Sequence, residues 1–400
     1  MNRPSHDFAP DAPVLYDADA GDAAAFETLV SRETFREDVP HAAEIAKNVP
    51  LYDGPAILNA ERARRDETMA EWTRVFETGP GVVVVKRAYS DTSPIDRATE
   101  LFDRIIEEER DADSGGGDHF AKPGANDRIW NALEKHCLAD PEGFALYFGN
   151  PLLAMVSDSW LGPGWQMTAQ VNRVNPGGAA QIPHRDYHLG FMSAKEASSY
   201  PVHVHRLSAA LTLQGAIAHC DMPVESGPTM LLPYSQLCPE GYVAFRKPEF
   251  QKIFAKRHVQ LPLEKGDAVF FNPALMHGAG ENRTSDMRRM ANLLQVSSAF
   301  GRPIETVDRA AMARALYAPL KALAASEALT VGQRMAAISA CAEGYAFPTN
   351  LDTDPPVGGL APKSQAAIMI DALERGMKPS EFDSEIDAWV ARRRGRNQDS

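Results

Sequence analysis

Cysteine is scarce in this chain of 400 residues: there are four, Cys137, Cys220, Cys238 and Cys341, and no C-x-x-C. That spacing excludes a disulfide frame and a clustered zinc site, and fits buried or idle thiols in a reducing cytosol. Basic charge is also short. The net charge is −13, which argues against a nucleic-acid partner and for solubility. The one basic cluster, Arg392-Arg393-Arg394-Gly395-Arg396, is too small for a phosphate-binding surface and reads as a solvated tail. Long apolar runs are absent. The stretch from Leu207 to Ala218 is too short to span a bilayer and is interrupted by Ser, Thr, Gln and Gly. The N-terminal MNRPSHDFAPDAP has no apolar signal core. These absences predict a cytoplasmic protein with neither a membrane nor a nucleic-acid partner. Oligomeric state is not legible.

What is present is a large apolar content, 44% of residues, ample for an extensive core. Residues 1–55 are rich in Asp, Ala and Pro and read as an arm, wrapped on the body or partly disordered. From Glu61 to Thr78 the pattern is helical, with Met69, Trp72, Val75 and Phe76 on one face. Gly79-Pro80-Gly81 stops that helix and VVVVKR follows as a buried strand. Ser93 and Pro94 open a second helix, with Ile95, Ala98, Leu101, Phe102, Ile105 and Ile106 as its stripe. The loop DADSGGGDHFAKPG then suggests a mobile lid edge.

Between about Gln166 and Phe300 short β-type runs alternate with turns: QMTAQVNRV, LSAALTLQGAIA, TMLLP, HVQLPL, DAVFFN and MANLLQVSSAF. Strands at this spacing predict a sandwich or barrel-like double sheet. Segments 306–325, 331–345, 363–376 and 380–394 return to helical spacing. The expected class is α+β, helices then a β-core then helices. The divisions are 1–55 as the arm, 56–300 as the β-core with its supporting helices, and 301–400 as a helical extension.

The chemistry lies in the histidines. His184 and Asp186 form an H-x-D, His277 follows 93 positions after His184, and Arg288 lies 11 beyond His277. Two imidazoles and one carboxylate on a rigid β-scaffold suit the facial triad of a non-haem Fe(II) oxygenase. A following Arg can grip a keto-acid carboxylate with its planar fork. A lone H-x-D carries little weight, since about one is expected by chance at average composition, and His219-Cys220-Asp221 is a second copy. The first pair is favoured for three reasons. Residues i and i+2 of a strand share a face; Pro176-Gly177-Gly178 and Pro183 mark turn and strand entry; and the gap to His277 leaves room for intervening strands. His219 then reads as a structural or surface histidine.

Further residues are weighed by their setting. Lys265-Gly266-Asp267 is a tight turn, AVFFN a buried strand, and His277 closes its far end, where Gly278 and Gly280 would let the backbone pass close to a ligand. Strand alternation groups Arg288 with Met290 and Asn292 and sends Arg289 to the other face. It selects Arg288, although spacing alone dismisses neither Arg283 nor Arg289. His203 and His205 form an H-x-H of the kind a cupin-type metal site uses, but in SSYPVHVHR no third ligand is evident and a surface strand end fits better. His188 is expected near the site mouth, in a substrate-contact or packing role.

HRDYHLGF, SGPTMLLPYSQ and GDAVFFNPALMHGAGENRTSDMRR resemble, in order and spacing, the signature blocks of the phytanoyl-CoA dioxygenase family. The resemblance covers roughly residues 60–300. It implies a double-stranded β-helix (jelly-roll, cupin-like) core and an oxygenase using Fe(II), 2-oxoglutarate and O2 on a small-molecule substrate. By resemblance His184, Asp186 and His277 hold the iron, and Arg288 holds the distal carboxylate of 2-oxoglutarate. Gln214 on a central strand and Lys122 in HFAKPG are further co-substrate candidates. Gln170 and Asn172 on one face of the strand before the H-x-D, or Arg173 on the other, supply the polar residue that relatives carry there. Two departures stand out: PYSQ replaces the usual PGSH-type turn, and residues 301–400 match no known pattern. Asp186 stands where halogenating relatives carry a small residue, which favours hydroxylation.

Overall fold

The computed structural model describes residues 13–111 and 124–394. Among these, ten strands form two sheets. They are β1 (Glu44–Ala46), β2 (Val49–Asp53), β3 (Val82–Lys86), β4 (Asn126–Ile129) and β5 (Gln166–Val174), then β6 (Thr212–Ala218), β7 (Met230–Leu231), β8 (Ala268–Phe271), β9 (His277–Gly278) and β10 (Arg289–Ser297). The major sheet has eight strands in the order β1-β2-β3-β8-β6-β10-β5-β4. β7 and β9 pair as a minor sheet, and isolated bridges His184–His277 and Leu231–Val259 extend it. The minor sheet lies over one face of the major one, which is the double-stranded β-helix that the resemblance implies.

Alternation explains why both faces of the major sheet are dry. On β5, Met167, Ala169 and Val171 join the large core shared with the helices. Their neighbours Thr168, Gln170 and Asn172 are equally buried but point into the barrel. On β3 and β8 the barrel-facing side chains are apolar: Val82, Val84, Val269 and Phe271 form a second core with Leu231 and Leu275.

Helices cover the other face. Arg62–Glu77 presents the fully buried Trp72 and Phe76, and Ser93–Asp111 presents Ile95, Ala98 and Phe102. The C-terminal helices Arg309–Ala325, Val331–Cys341, Gln365–Glu374 and Pro379–Arg393 add Met312, Leu316, Ile338 and Ile386 to that same core.

Three regions differ from expectation. The arm contributes more than a wrapping segment: its residues 44–53 form β1 and β2, with β2 lying parallel to β3 at the sheet edge. These strands are too short for sequence alternation to reveal. The run before β6 is helical from Val202 to Ala210, so His203 and His205 sit on a helix and not at a strand end. HVQLPL makes only the isolated bridges of Val259 and Leu263. Of its two partners Leu231 ends the two-residue β7 and Met222 lies outside the strands, which leaves no ladder to extend.

Candidate metal centre

The extended segment entering the H-x-D is tied to β9 by reciprocal backbone hydrogen bonds: His184 N–H donates to His277 O at 2.9 Å, and His277 N–H to His184 O at 3.0 Å. This pairing sets the two imidazoles side by side, with ring centroids 4.6 Å apart. Asp186 faces both: its Oδ2 lies 3.7 Å from His184 Nε2 and 3.5 Å from His277 Nε2. One donor atom from each of the three residues lies within 4.8 Å of the other two, and this is the one such cluster among the described residues.

The imidazoles are preset as ligands. His184 Nδ1 lies 2.8 Å from Ile182 O, and His277 Nδ1 lies 2.8 Å from Leu275 O. A carbonyl only accepts, so Nδ1 carries the proton and Nε2 keeps its lone pair toward Asp186, the tautomer a metal requires. Burial would raise the Asp186 carboxyl, yet the two facing imidazoles hold it well below the usual carboxylate range. Burial opposes charge on His184, but the nearby Asp186 outweighs it and raises that imidazole. His277 is pushed down, first by burial and then by the charge of His184. The cluster therefore presents an ionised carboxylate between two imidazoles, and two imidazoles plus one carboxylate fit a divalent iron with open positions.

The barrel wall is polar around this cluster. Gln214 donates to Asp186 Oδ2 at 2.6 Å, and Tyr187 donates to Gln295 beside it. The two residues after Asp186, Tyr187 and His188, both take left-handed backbone, with φ of 63° and 44°. Such conformations are costly for bulky side chains and persist where surrounding contacts fix them. His188 is half-buried, with Nδ1 3.1 Å from Ser208 Oγ. The buried Oδ1 of Asn172 and Oε1 of Gln214 have no hydrogen-bond partner, which leaves two acceptors for a bound group.

Register settles which β5 residues face inward. Asn172 pairs with Ala291 and Gln170 with Leu293 on the barrel face. Arg173 points to the helices, where it pairs with Asp103 at 2.6 Å and Asp127 at 3.0 Å.

The same register corrects the choice of arginine. Met290 lies in the helix-facing core, and Asn292 donates to Tyr147 Oη at 3.2 Å on that side. The face shared by 288, 290 and 292 is therefore the outer one, and Arg288 is exposed. Arg289 begins β10 on the barrel face with Ala291, Leu293 and Gln295 and is 5% exposed. Burial lowers its guanidinium to about 10. Its side chain has no hydrogen bond and no ion pair among the described residues. Sequence alternation had grouped the residues properly and assigned the wrong group to the inside.

Other candidates lie elsewhere. Lys122 falls outside the described residues. His203 is exposed, and His205 is buried with Nε2 3.1 Å from Ala197 O, away from the triad. Gly280 is small because its backbone passes Gly227: a Cβ there would lie 2.9 Å from Gly227 Cα. The reason is chain packing and not approach to a ligand. In PYSQ the Ser235 hydroxyl accepts from Met276 N–H at 2.8 Å, so this turn fixes the strand that carries His277. Tyr187 and Gln295 were not singled out from sequence, and Arg289 was kept there only as an alternative to Arg288. A buried β10 with polar side chains on alternate positions was the available signal.

Several known proteins are similar to this chain. Dioxygenase trt7 of Aspergillus terreus is 28% identical over 144 residues, 35% of this chain and 45% of that protein. The human peroxisomal phytanoyl-CoA dioxygenase is 53% identical over 34 residues, 8% of this chain and 10% of that protein. The chain thus spans less than half the length of these curated relatives. Among solved structures, the non-haem α-ketoglutarate-dependent epimerase SnoN from nogalamycin biosynthesis is 20% identical at a TM-score of 0.42, covering 60% of this chain and 85% of that one. The carbocyclase SnoK of the same biosynthesis is 21% identical at 0.39, covering 61% and 86%. The family model described as Phytanoyl-CoA dioxygenase (PhyH) matches residues 78–290, more than half of the chain, and the protein belongs to that family.

Proposed function

We propose that this protein is an Fe(II)- and 2-oxoglutarate-dependent dioxygenase that hydroxylates an unactivated C–H of a small-molecule metabolite. The triad of His184, Asp186 and His277, with both Nε2 atoms and the carboxylate converging within 4.8 Å, carries this reading. These three side chains would hold the iron. Arg289 would take the outer carboxylate of 2-oxoglutarate, because a buried guanidinium without an anion is costly and a carboxylate relieves it with two parallel hydrogen bonds. Gln214 keeps Asp186 oriented through its 2.6 Å hydrogen bond. When bound, the iron and keto acid supply the oxidising power. O2 and 2-oxoglutarate give succinate and CO2, and the second oxygen atom ends in the substrate alcohol. The residues of the chain bind and orient the reactants, while the apolar floor of Val269, Phe271 and Leu275 limits water at the site.

Among the described residues no helix is long and apolar enough to cross a membrane. The four cysteines are free, and a cytoplasmic location is part of the proposal.

The test needs no substrate. Fe(II) and 2-oxoglutarate added without oxygen should give a weak visible charge-transfer band that disappears in His277→Ala. Iron bound with no band at any keto-acid concentration would overturn the co-substrate assignment.

A further inference from the structure

His188 is the second residue after Asp186 and stands outside the cluster of three metal-ligand candidates. Its imidazole is held from behind. Nδ1 lies 3.1 Å from Oγ of Ser208, a buried residue of the helix Val202–Ala210. The direction of each proton in this chain follows from its far end. The Asp186 carbonyl only accepts, so Tyr242 Oη donates to it at 3.2 Å. The phenol oxygen is left as an acceptor, and the Ser208 hydroxyl faces it. A hydroxyl has one proton. With that proton directed at Tyr242, Ser208 Oγ accepts from His188. Nδ1 then carries the ring proton and Nε2 keeps its lone pair.

That Nε2 makes no hydrogen bond among the described residues and is not sealed from solvent. It sits beside the wall of the site. The His188 ring centroid is 6.0 Å from that of Tyr187, and the Tyr187 hydroxyl donates to Gln295 Oε1. The same Oε1 lies 3.4 Å from Nε2 of Gln214, the amide that holds Asp186. The triad is not sealed either: the side chains of His184 and Asp186 are 30% and 17% exposed. Holding His188 in this place costs a left-handed backbone, a conformation that clusters at ligand sites where neighbours sustain it.

We propose that His188 determines substrate specificity: its Nε2 accepts a hydrogen bond from a hydroxyl group of the substrate. The exposed Phe191 ring, 6.3 Å from that of Tyr187, receives the apolar body of the same molecule. The substrate role rests on the dioxygenase reading above; the free acceptor does not.

The experiment follows the ring nitrogens of isotope-labelled histidine by NMR in the full chain, at about pH 8, where an ordinary imidazole is neutral. Zn(II) replaces Fe(II) as a diamagnetic ion, with 2-oxoglutarate present. The signal lost in His188→Asn identifies His188. Asparagine tolerates left-handed backbone but places nothing where Nε2 stood. The probes are benzyl alcohol, which can donate, and benzyl methyl ether, which cannot. Nε2 should show the shift of an unprotonated nitrogen and move on addition of the alcohol only. The alcohol should bind at least about fivefold more tightly than the ether, as for one hydrogen bond, and His188→Asn should abolish that preference. A protonated Nε2 in the protein without probe, equal binding of the two probes, or a preference that survives His188→Asn overturns the proposal. The Fe(II) chelate band is recorded separately without oxygen. Its absence while the alcohol preference stands would count against the iron reading alone and support the assignment of His188.

Discussion

The chain contains the same tripeptide pattern twice, and the two copies have opposite fates. In His184-Arg185-Asp186 the imidazole and carboxylate converge with His277. In His219-Cys220-Asp221 they part: His219 is 4% exposed among the helices, while Asp221 is exposed and accepts the Lys265 N–H at 2.9 Å. Both ring nitrogens of His219 are taken, Nδ1 by Thr99 Oγ1 and Nε2 by Tyr147 Oη, each at 2.8 Å. Burial foremost drives His219 down to about 3, so it stays neutral. His184 keeps Nε2 free because a carbonyl holds its Nδ1. A ligand is therefore distinguished from a structural histidine by what occupies its second nitrogen. Spacing to the nearest carboxylate does not decide it.

The largest effect should come from the first pair. Asp186→Ala removes the anionic ligand and should abolish the chelate band, with iron retention measured by metal analysis falling at least tenfold. A band of ordinary intensity in this variant would remove Asp186 from the site.

The two arginines come next. Arg289→Ala should weaken 2-oxoglutarate binding by about 100-fold, or about 3 kcal/mol for a buried charge-assisted pair, and leave iron retention intact. Arg288→Ala should change it less than twofold. The reverse order, read by titrating the band, would restore the choice made by sequence alternation.

His219→Ala sharpens the contrast from the other side. It should leave iron binding unchanged and lower stability by about 1–3 kcal/mol, because the Thr99 and Tyr147 hydroxyls lose a buried partner. Denaturant unfolding measures the second, and any loss of iron would show that the wrong H-x-D had been assigned. The smallest effect belongs to Asp221→Asn, an exposed acceptor: less than about 0.5 kcal/mol and no change in the band.

Much of the fold could be read in advance. Helices at 62–77 and 93–111 and the four C-terminal ones fall close to their predicted spans, because long amphipathic stripes are strong signals. β5, β8 and β10 were legible from β-type runs between turns. β1, β2, β7 and β9 have two to five residues each. At that length pairing with a neighbour and not local pattern makes the strand. Val202–Ala210 was misjudged because β-branched and aromatic-flanked residues there are overridden by packing.

The sequence by itself determined the candidate donor set of the metal centre, the β-type texture of the core and the family. These are properties of residue identity and of chain order. Only the tertiary structure decided which arginine is inside and which face of β5 lines the barrel. Alternation along a strand fixes which residues share a face, but the phase is set by the neighbours. On β10 the pairings Leu293–Gln170 and Gln295–Gln214 turn the odd-numbered residues inward, and Arg289 with them.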